Sequence, residues 1–241
     1  MKRLLDVFGS AFGLILLSPV LLVVLIAIWL QDYCSPFYIA PRVGRHGKIF
    51  QMVKLRSMVK DADKSGVDST SANDFRITKV GLVIRKYKLD EFMQLWNVFK
   101  GDMSLVGPRP NVQREVDLYT DVEKRLLNVK PGITDCASIV FSDEGDILKD
   151  SQDPDLDYNQ LIRPWKSRLG LLYVENQNII LDFWLIMLTI IALFERQIAL
   201  RGVVNLLNKI RAPQAVVRVS ARNKELLPYP PPGSDTIVTA R

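Results

Sequence analysis

A chain of 241 residues with 48% apolar content can bury one substantial core, and its net charge of +6 points to anionic partners such as phosphates, nucleotides or lipid headgroups. Its basic residues are spread along the chain and no nucleic-acid-binding module is present, which argues against nucleic acid. One histidine, His46, argues against a His-rich zinc site or a Ser-His-Asp triad, and two cysteines, Cys34 and Cys136, lack metal or redox spacing and fit a reducing compartment.

Val7 to Leu30 is a run of about 24 residues without a charge, long enough to cross a bilayer as a straight helix. Its apolar far end, with no small-residue cleavage site before Gln31-Asp32-Tyr33, reads as a retained anchor rather than a cleaved leader. Lys2 and Arg3 precede it while Arg42, Arg45, Lys48 and Lys54 follow, so charge asymmetry orients it weakly. Ser18-Pro19 predicts a kink, because proline lacks the N–H of the helical ladder; Ser18 can bond a carbonyl there. From residues alone this is a kinked spanning helix.

Tyr38 to Met58 is punctuated by glycines and partly alternates, which predicts a short hairpin with Lys54 and Arg56 on one face and His46 in a solvated loop. Lys60 to Asp74 is polar and reads as a loop. Leu89, Phe92, Met93, Leu95, Trp96 and Phe99 recur at helical spacing, with Gly101 as a stop. Asp90 and Glu91 then fall in or beside the first turn, where carboxylates complement the helix dipole and need no function.

Asn111 to Val129 is helical in pattern and is broken by Lys130-Pro131-Gly132; Ile133 to Phe141 is short and β-branched. Ser142 to Asp157 is acidic and reads as an exposed loop, and Leu161 to Asn176 as a helix. Phe183 to Phe194 is too short to cross a membrane, leaving a core helix and an interfacial helix as alternatives. Pro228 to Pro232 marks a tail with little core-forming content, and residues beyond about 212 read as extension or linker.

The chemistry collects between Lys79 and Pro110. The acid pair Asp90-Glu91 stands near Arg85, Lys86 and Lys88, and Arg109 is held between Pro108 and Pro110. Arginine grips phosphate oxygens bidentately, and flanking prolines restrict the backbone that carries it. Two acids suit a nucleophile beside a Mg²⁺ ligand, because substrate phosphates complete the ion's shell, and a carboxylate attacking phosphorus gives an acyl-phosphate. These residues define a membrane-anchored, phosphate-handling domain.

The sequence resembles the bacterial sugar transferases known as monotopic, small-core phosphoglycosyl transferases. The resemblance covers roughly residues 1 to 200 and rests on the Ser18-Pro19 apolar helix, Arg42-Val43-Gly44, Lys54-Leu55-Arg56-Ser57-Met58, Leu89-Asp90-Glu91, the run from Gly101 to Pro110, and Lys130-Pro131-Gly132-Ile133-Thr134. It implies a mostly helical α+β fold: a re-entrant membrane helix-break-helix (1–32), a catalytic domain (33–200) carrying a short β-hairpin and interfacial helices, and a C-terminal extension (201–241). It implies a UDP-sugar donor, a polyprenyl (undecaprenyl) phosphate acceptor, the bilayer as partner, and a place on the cytoplasmic face of the bacterial inner membrane, at the start of glycoconjugate assembly. A homodimer is left open.

By the same resemblance Asp90 is the nucleophile that releases UMP, Glu91 binds Mg²⁺, Arg109 and Pro110 contact substrate, and Lys54, Arg56 and Arg85 are electrostatic helpers. The rivals are a scaffold that binds nucleotide-sugar or lipid phosphate without turnover, and a membrane-crossing protein with a cytosolic interaction domain. The family commonly continues Pro-Gly-Ile-Thr with Gly-Trp-Ala-Gln; here Asp135-Cys136-Ala137-Ser138 follows, a change that bears on contacts near the nucleotide or sugar.

Overall fold

The computed structural model describes residues 1–62 and 74–239. Most of the Lys60–Asp74 stretch lies outside the described residues. Helix α1 (Lys2–Asp32) is 31 residues long and runs unbroken through Ser18-Pro19, where the resemblance predicts a break between two helices. Pro19 leaves the Ile15 carbonyl without its helical donor, and the Ser18 hydroxyl supplies one at 2.8 Å.

One face of α1 is fastened to the rest of the protein from end to end. Asp6, Ser10, Leu21 and Ile28 are buried along it. At its start Lys2 Nζ stands 2.6 Å from Asp182, and Arg3 donates to the carbonyls of Val98 and Phe99 at 2.6 and 2.7 Å. Asp6 accepts from the Ser104 hydroxyl and the Leu105 N–H, both at 2.9 Å. At its end Asp32 accepts two bonds from Arg56, at 2.8 and 2.6 Å. The other face leaves Phe8, Phe12, Ile15, Leu22, Val23 and Ile26 exposed.

Strands β1 (Phe37–Val43) and β2 (Ile49–Leu55) form the expected antiparallel hairpin, Phe37 opposite Leu55 and Val43 opposite Ile49, with an exposed His46 in the turn. After α2 (Lys79–Lys86) the chain departs from the single amphipathic helix that the spacing predicts. Lys88 adopts a left-handed conformation (φ 56°), Leu89–Glu91 is a separate 3-10 turn, and α3 starts only at Gln94 (Gln94–Lys100), ending on left-handed Gly101 as expected. The acids therefore sit on a turn of their own, ahead of the helix.

Strand β3 (Ser104–Val106) precedes α4 (Gln113–Asp117), which with a 3-10 turn at Glu123–Asn128 replaces the longer helix expected there. Strand β4 (Gly132–Thr134) pairs parallel with β3. The β-branched run beyond it is helical, as α5 (Cys136–Val140), because the Asp135 carboxylate caps it by accepting from Ser138 N at 2.7 Å. The acidic stretch that follows is not a free loop: α6 (Glu144–Ile147) and α7 (Pro154–Asp157) fold there and bury Leu148 and Asp155.

The main core lies among α5, α8 (Arg163–Asn176), α9 (Ile179–Phe194), α10 (Arg196–Lys209) and α11 (Gln214–Ser220). Helix α9 is two-sided, burying Leu181, Leu185 and Leu188 while Phe183, Trp184 and Leu193 stay exposed. The C-terminal stretch is no bare linker. Val203, Leu207, Val216 and Val217 enter the main core, residue 200 lies inside α10, and Tyr229 stacks on Trp165 with ring centroids 4.4 Å apart.

Candidate active site

The site forms where the turn that carries the acids faces the loop that follows β3. That loop is pinned by backbone contacts to β4: Gly107 N donates to the Thr134 carbonyl at 2.9 Å and Gly132 N to the Pro108 carbonyl at 3.0 Å. The two chains cross so closely that a Cβ on Gly132 would stand 2.1 Å from Gly107 N, so only glycine fits. This crossing fixes the backbone of Pro108-Arg109-Pro110, and Pro110 is buried beneath it.

Arg109 reaches back to Glu91 with both terminal nitrogens, at 2.6 and 3.2 Å. Lys54 Nζ, from β2, stands 4.0 Å from the same carboxylate. Burial alone would raise the Glu91 carboxyl, but Arg109 and Lys54 outweigh it and hold Glu91 well below the usual carboxylate range. Burial, with Arg109 nearby, lowers Lys54 to about 8.

Asp90 differs from its neighbour. No hydrogen bond or ion pair holds its carboxylate among the described residues. Burial raises its pKa, Lys54 opposes, and the Glu91 charge pushes it up further. The pair is thus unequal by environment: one acid is locked to a guanidinium, and the other faces the site unengaged.

Arg85 adds positive potential at Asp90 without touching it. Arg56 is not brought to the acids: β2 ends at Leu55, and Arg56 turns away to close its ion pair with Asp32. The spacing also misses a charged wall. Lys88 Nζ donates to the Ser142 carbonyl at 3.4 Å, and Glu144 pairs with Lys166. Burial would raise the Glu144 carboxyl, but Lys166 first, and then Arg109 and Lys88, outweigh it and hold Glu144 below its ordinary range. In sequence Glu144 looks like part of an acidic loop, and only the packing of α6 that pairs it with Lys166 of α8 brings it within reach of Arg109's charge.

The family profile described as bacterial sugar transferase matches residues 1–196. This chain belongs to the bacterial sugar transferase family. It is 35% identical over 190 residues to the sugar transferase EpsL of Bacillus subtilis, covering 79% of this chain and 85% of EpsL. It is 41% identical over 152 residues to the undecaprenyl-phosphate galactose phosphotransferase of Salmonella typhimurium, covering 56% of this chain but 31% of that longer protein. It is also 35% identical over 142 residues to the UDP-N-acetylgalactosamine-undecaprenyl-phosphate N-acetylgalactosaminephosphotransferase of Aeromonas hydrophila, covering 58% of this chain and 34% of the relative. The transferase resemblance read from Leu89-Asp90-Glu91 and from the Gly101 to Pro110 run therefore holds at the level of family.

Two adjacent carboxylates are hard oxygen donors of the kind Mg²⁺ takes, and the unengaged Asp90 oxygens suit it. Among the described residues no three His, Cys, Asp or Glu side chains gather around one point. An ion there would need substrate phosphate oxygens to complete its shell, and Glu91 would share it with Arg109. The departure at Asp135 is structural in this chain. Its carboxylate also accepts from the Ser138 hydroxyl at 2.8 Å, and Cys136 is buried, which pushes its thiol pKa up.

Proposed function

We propose that this transferase moves a phosphosugar from a UDP-sugar to polyprenyl phosphate in two displacements at Asp90. The observation that carries the reading is the unequal acid pair: a half-buried Asp90 with no partner among the described residues, next to a Glu91 that two cations hold ionised. In the first displacement an Asp90 oxygen bonds to the sugar-linked phosphorus as the bond from that phosphorus to UMP breaks, and UMP departs with the electron pair. In the second, an oxygen of polyprenyl phosphate attacks the same phosphorus and Asp90 leaves, giving the polyprenyl-diphosphate sugar.

Arg109 grips donor phosphate oxygens once substrate competes for its fork, and Lys54 with Arg85 supplies further positive potential. Asp90 and Glu91 would hold a Mg²⁺ ion together with those oxygens, and bound there it would neutralise charge that develops on the leaving phosphate. On this reading the protein works at the bacterial inner membrane, with its active site toward the cytoplasm.

Both ends of α1 are fastened to the same domain, which supports a helix that enters and leaves by one leaflet over one that crosses. A tag at Met1 reachable only from the periplasm would overturn that topology. The chemistry is tested by Asp90→Asn, assayed against a panel of UDP-hexoses and UDP-acetamido sugars with undecaprenyl phosphate. The variant should release no UMP; full activity would remove Asp90 from its role.

A further inference from the structure

Between the second half of α1 and helix α2 lies an apolar groove of about 310 Å³. Val23, Val24 and Ala27 of α1 face Val80, Val83 and Ile84 of α2 across it. Ile84 is 1% exposed and makes the floor, whereas Val23 and Val83 are 67% and 54% exposed and make the rims. The groove runs from Lys79, the first residue of α2, to Leu89, just past its end. Leu89 is the residue before Asp90.

We propose that this groove holds the first isoprene units of the acceptor, so that its phosphate is presented to Asp90; the assignment rests on the polyprenyl phosphate reading above. Three observations favour that occupant. The walls offer an apolar chain everything and a soluble nucleotide-sugar almost nothing. One wall is α1, whose exposed Leu22, Ile26 and Leu30 let a lipid chain enter from the bilayer without crossing water. The lining ends at Leu89, the residue before Asp90, and Arg85, whose charge acts on Asp90, follows the floor residue Ile84 on α2, so an anionic headgroup at that end would meet positive charge. A cavity of roughly 150 Å³ takes a benzene-sized group, so this groove fits about two five-carbon units, and the rest of the chain stays in the bilayer.

The test uses the full-length protein in phospholipid vesicles and undecaprenyl phosphate carrying a diazirine on its first isoprene unit. Irradiation should cross-link Val80, Val83 or Ala27. Val83→Trp, which fills the groove from an exposed rim, should lower that cross-linking and lower kcat/KM for undecaprenyl phosphate about tenfold or more, as expected for losing roughly two buried methylenes. Exchange of labelled UMP into the UDP-sugar needs no acceptor, and in Val83→Trp it should stay within about twofold of the unmodified protein. Leu82→Trp, exposed but outside the groove, should alter neither reading.

Cross-links that map elsewhere overturn the proposal, as does an unchanged acceptor kcat/KM in Val83→Trp. Equal labelling of the same residues by a diazirine phospholipid, not displaced by undecaprenyl phosphate, also overturns it in favour of bulk lipid. A protein that exchanges and releases no UMP would instead refute the transfer reading, and the cross-linking pattern would still judge the groove.

Discussion

Two arginine–glutamate pairs of almost the same length hold opposite positions in this protein. Arg163 and Glu123 meet at 2.7 Å with their side chains 3% and 0% exposed. Every strong group there is used. Glu123 also accepts from the Ser167 hydroxyl at 2.6 Å and from Thr120 N at 3.0 Å, while Arg163 donates to Asn159 Oδ1 at 2.9 Å and to the Leu118 carbonyl. Arg109 and Glu91 meet at 2.6 Å, but Arg109 is 35% exposed, Lys54 stands only nearby at 4.0 Å, and the adjacent Asp90 has no partner among the described residues. A saturated pair fixes structure, since removing a partner strands a buried charge. A pair with capacity left over can exchange one anion for another, as a phosphate-handling site must.

The largest expected effect breaks the second region alone. Asp90→Asn should lower UMP release by about a thousandfold or more, as removal of an attacking group does, with no loss of thermal stability in a melting curve. Next comes a matched comparison of the two glutamates. Glu123→Gln should cost about 3–5 kcal/mol by chemical denaturation because Arg163 stays buried and charged, with activity per folded molecule retained. Glu91→Gln should cost about 1 kcal/mol or less in stability, its arginine being partly solvated, yet lower kcat/KM clearly. If Glu91→Gln unfolds the protein and Glu123→Gln abolishes turnover, the contrast is wrong.

The smallest effect is a pH profile. Burial raises Asp90, so kcat/KM should climb as pH passes above the ordinary carboxylate range and the nucleophile ionises. Lys54, lowered to about 8, is a cation below that pH and neutral above it, so activity should fall on the alkaline side near pH 8. Lys54→Arg keeps its charge and should remove the alkaline limb while leaving the acidic one in place. A limb that persists unchanged would take Lys54 out of the site.

Much of the fold was legible where the governing forces are local. The apolar run gave α1, the glycine-punctuated alternation gave the hairpin, and the periodicity from Leu161 to Asn176 gave α8. The candidate site was half legible: adjacent acids and an arginine between prolines are visible in the chain, and their motif identifies the family. The 3-10 turn under Asp90 was not, because the apolar spacing from Leu89 to Phe99 runs on across the boundary between the Leu89–Glu91 turn and α3, which periodicity cannot register. Arg56 misled, since strand alternation puts it beside Lys54, and the end of β2 at Leu55 frees it to reach Asp32. Glu144 and Lys166 escaped notice because they are 22 residues apart and meet only after α6 packs.

The sequence by itself determined the family, the membrane-suited helix and the residue types of the chemistry, because hydropathy, periodicity and short motifs are properties of neighbours in the chain. Tertiary structure alone decided which acid is held and which is left free, that the C-terminal stretch completes the main core, and that one face of α1 is tied along a single domain. Those outcomes depend on burial and on partners that are distant in sequence. The same Asp-Glu pair could sit at an ordinary helix start; the crossing of Gly107 over Gly132 is what aims Arg109 at Glu91 and leaves Asp90 unengaged.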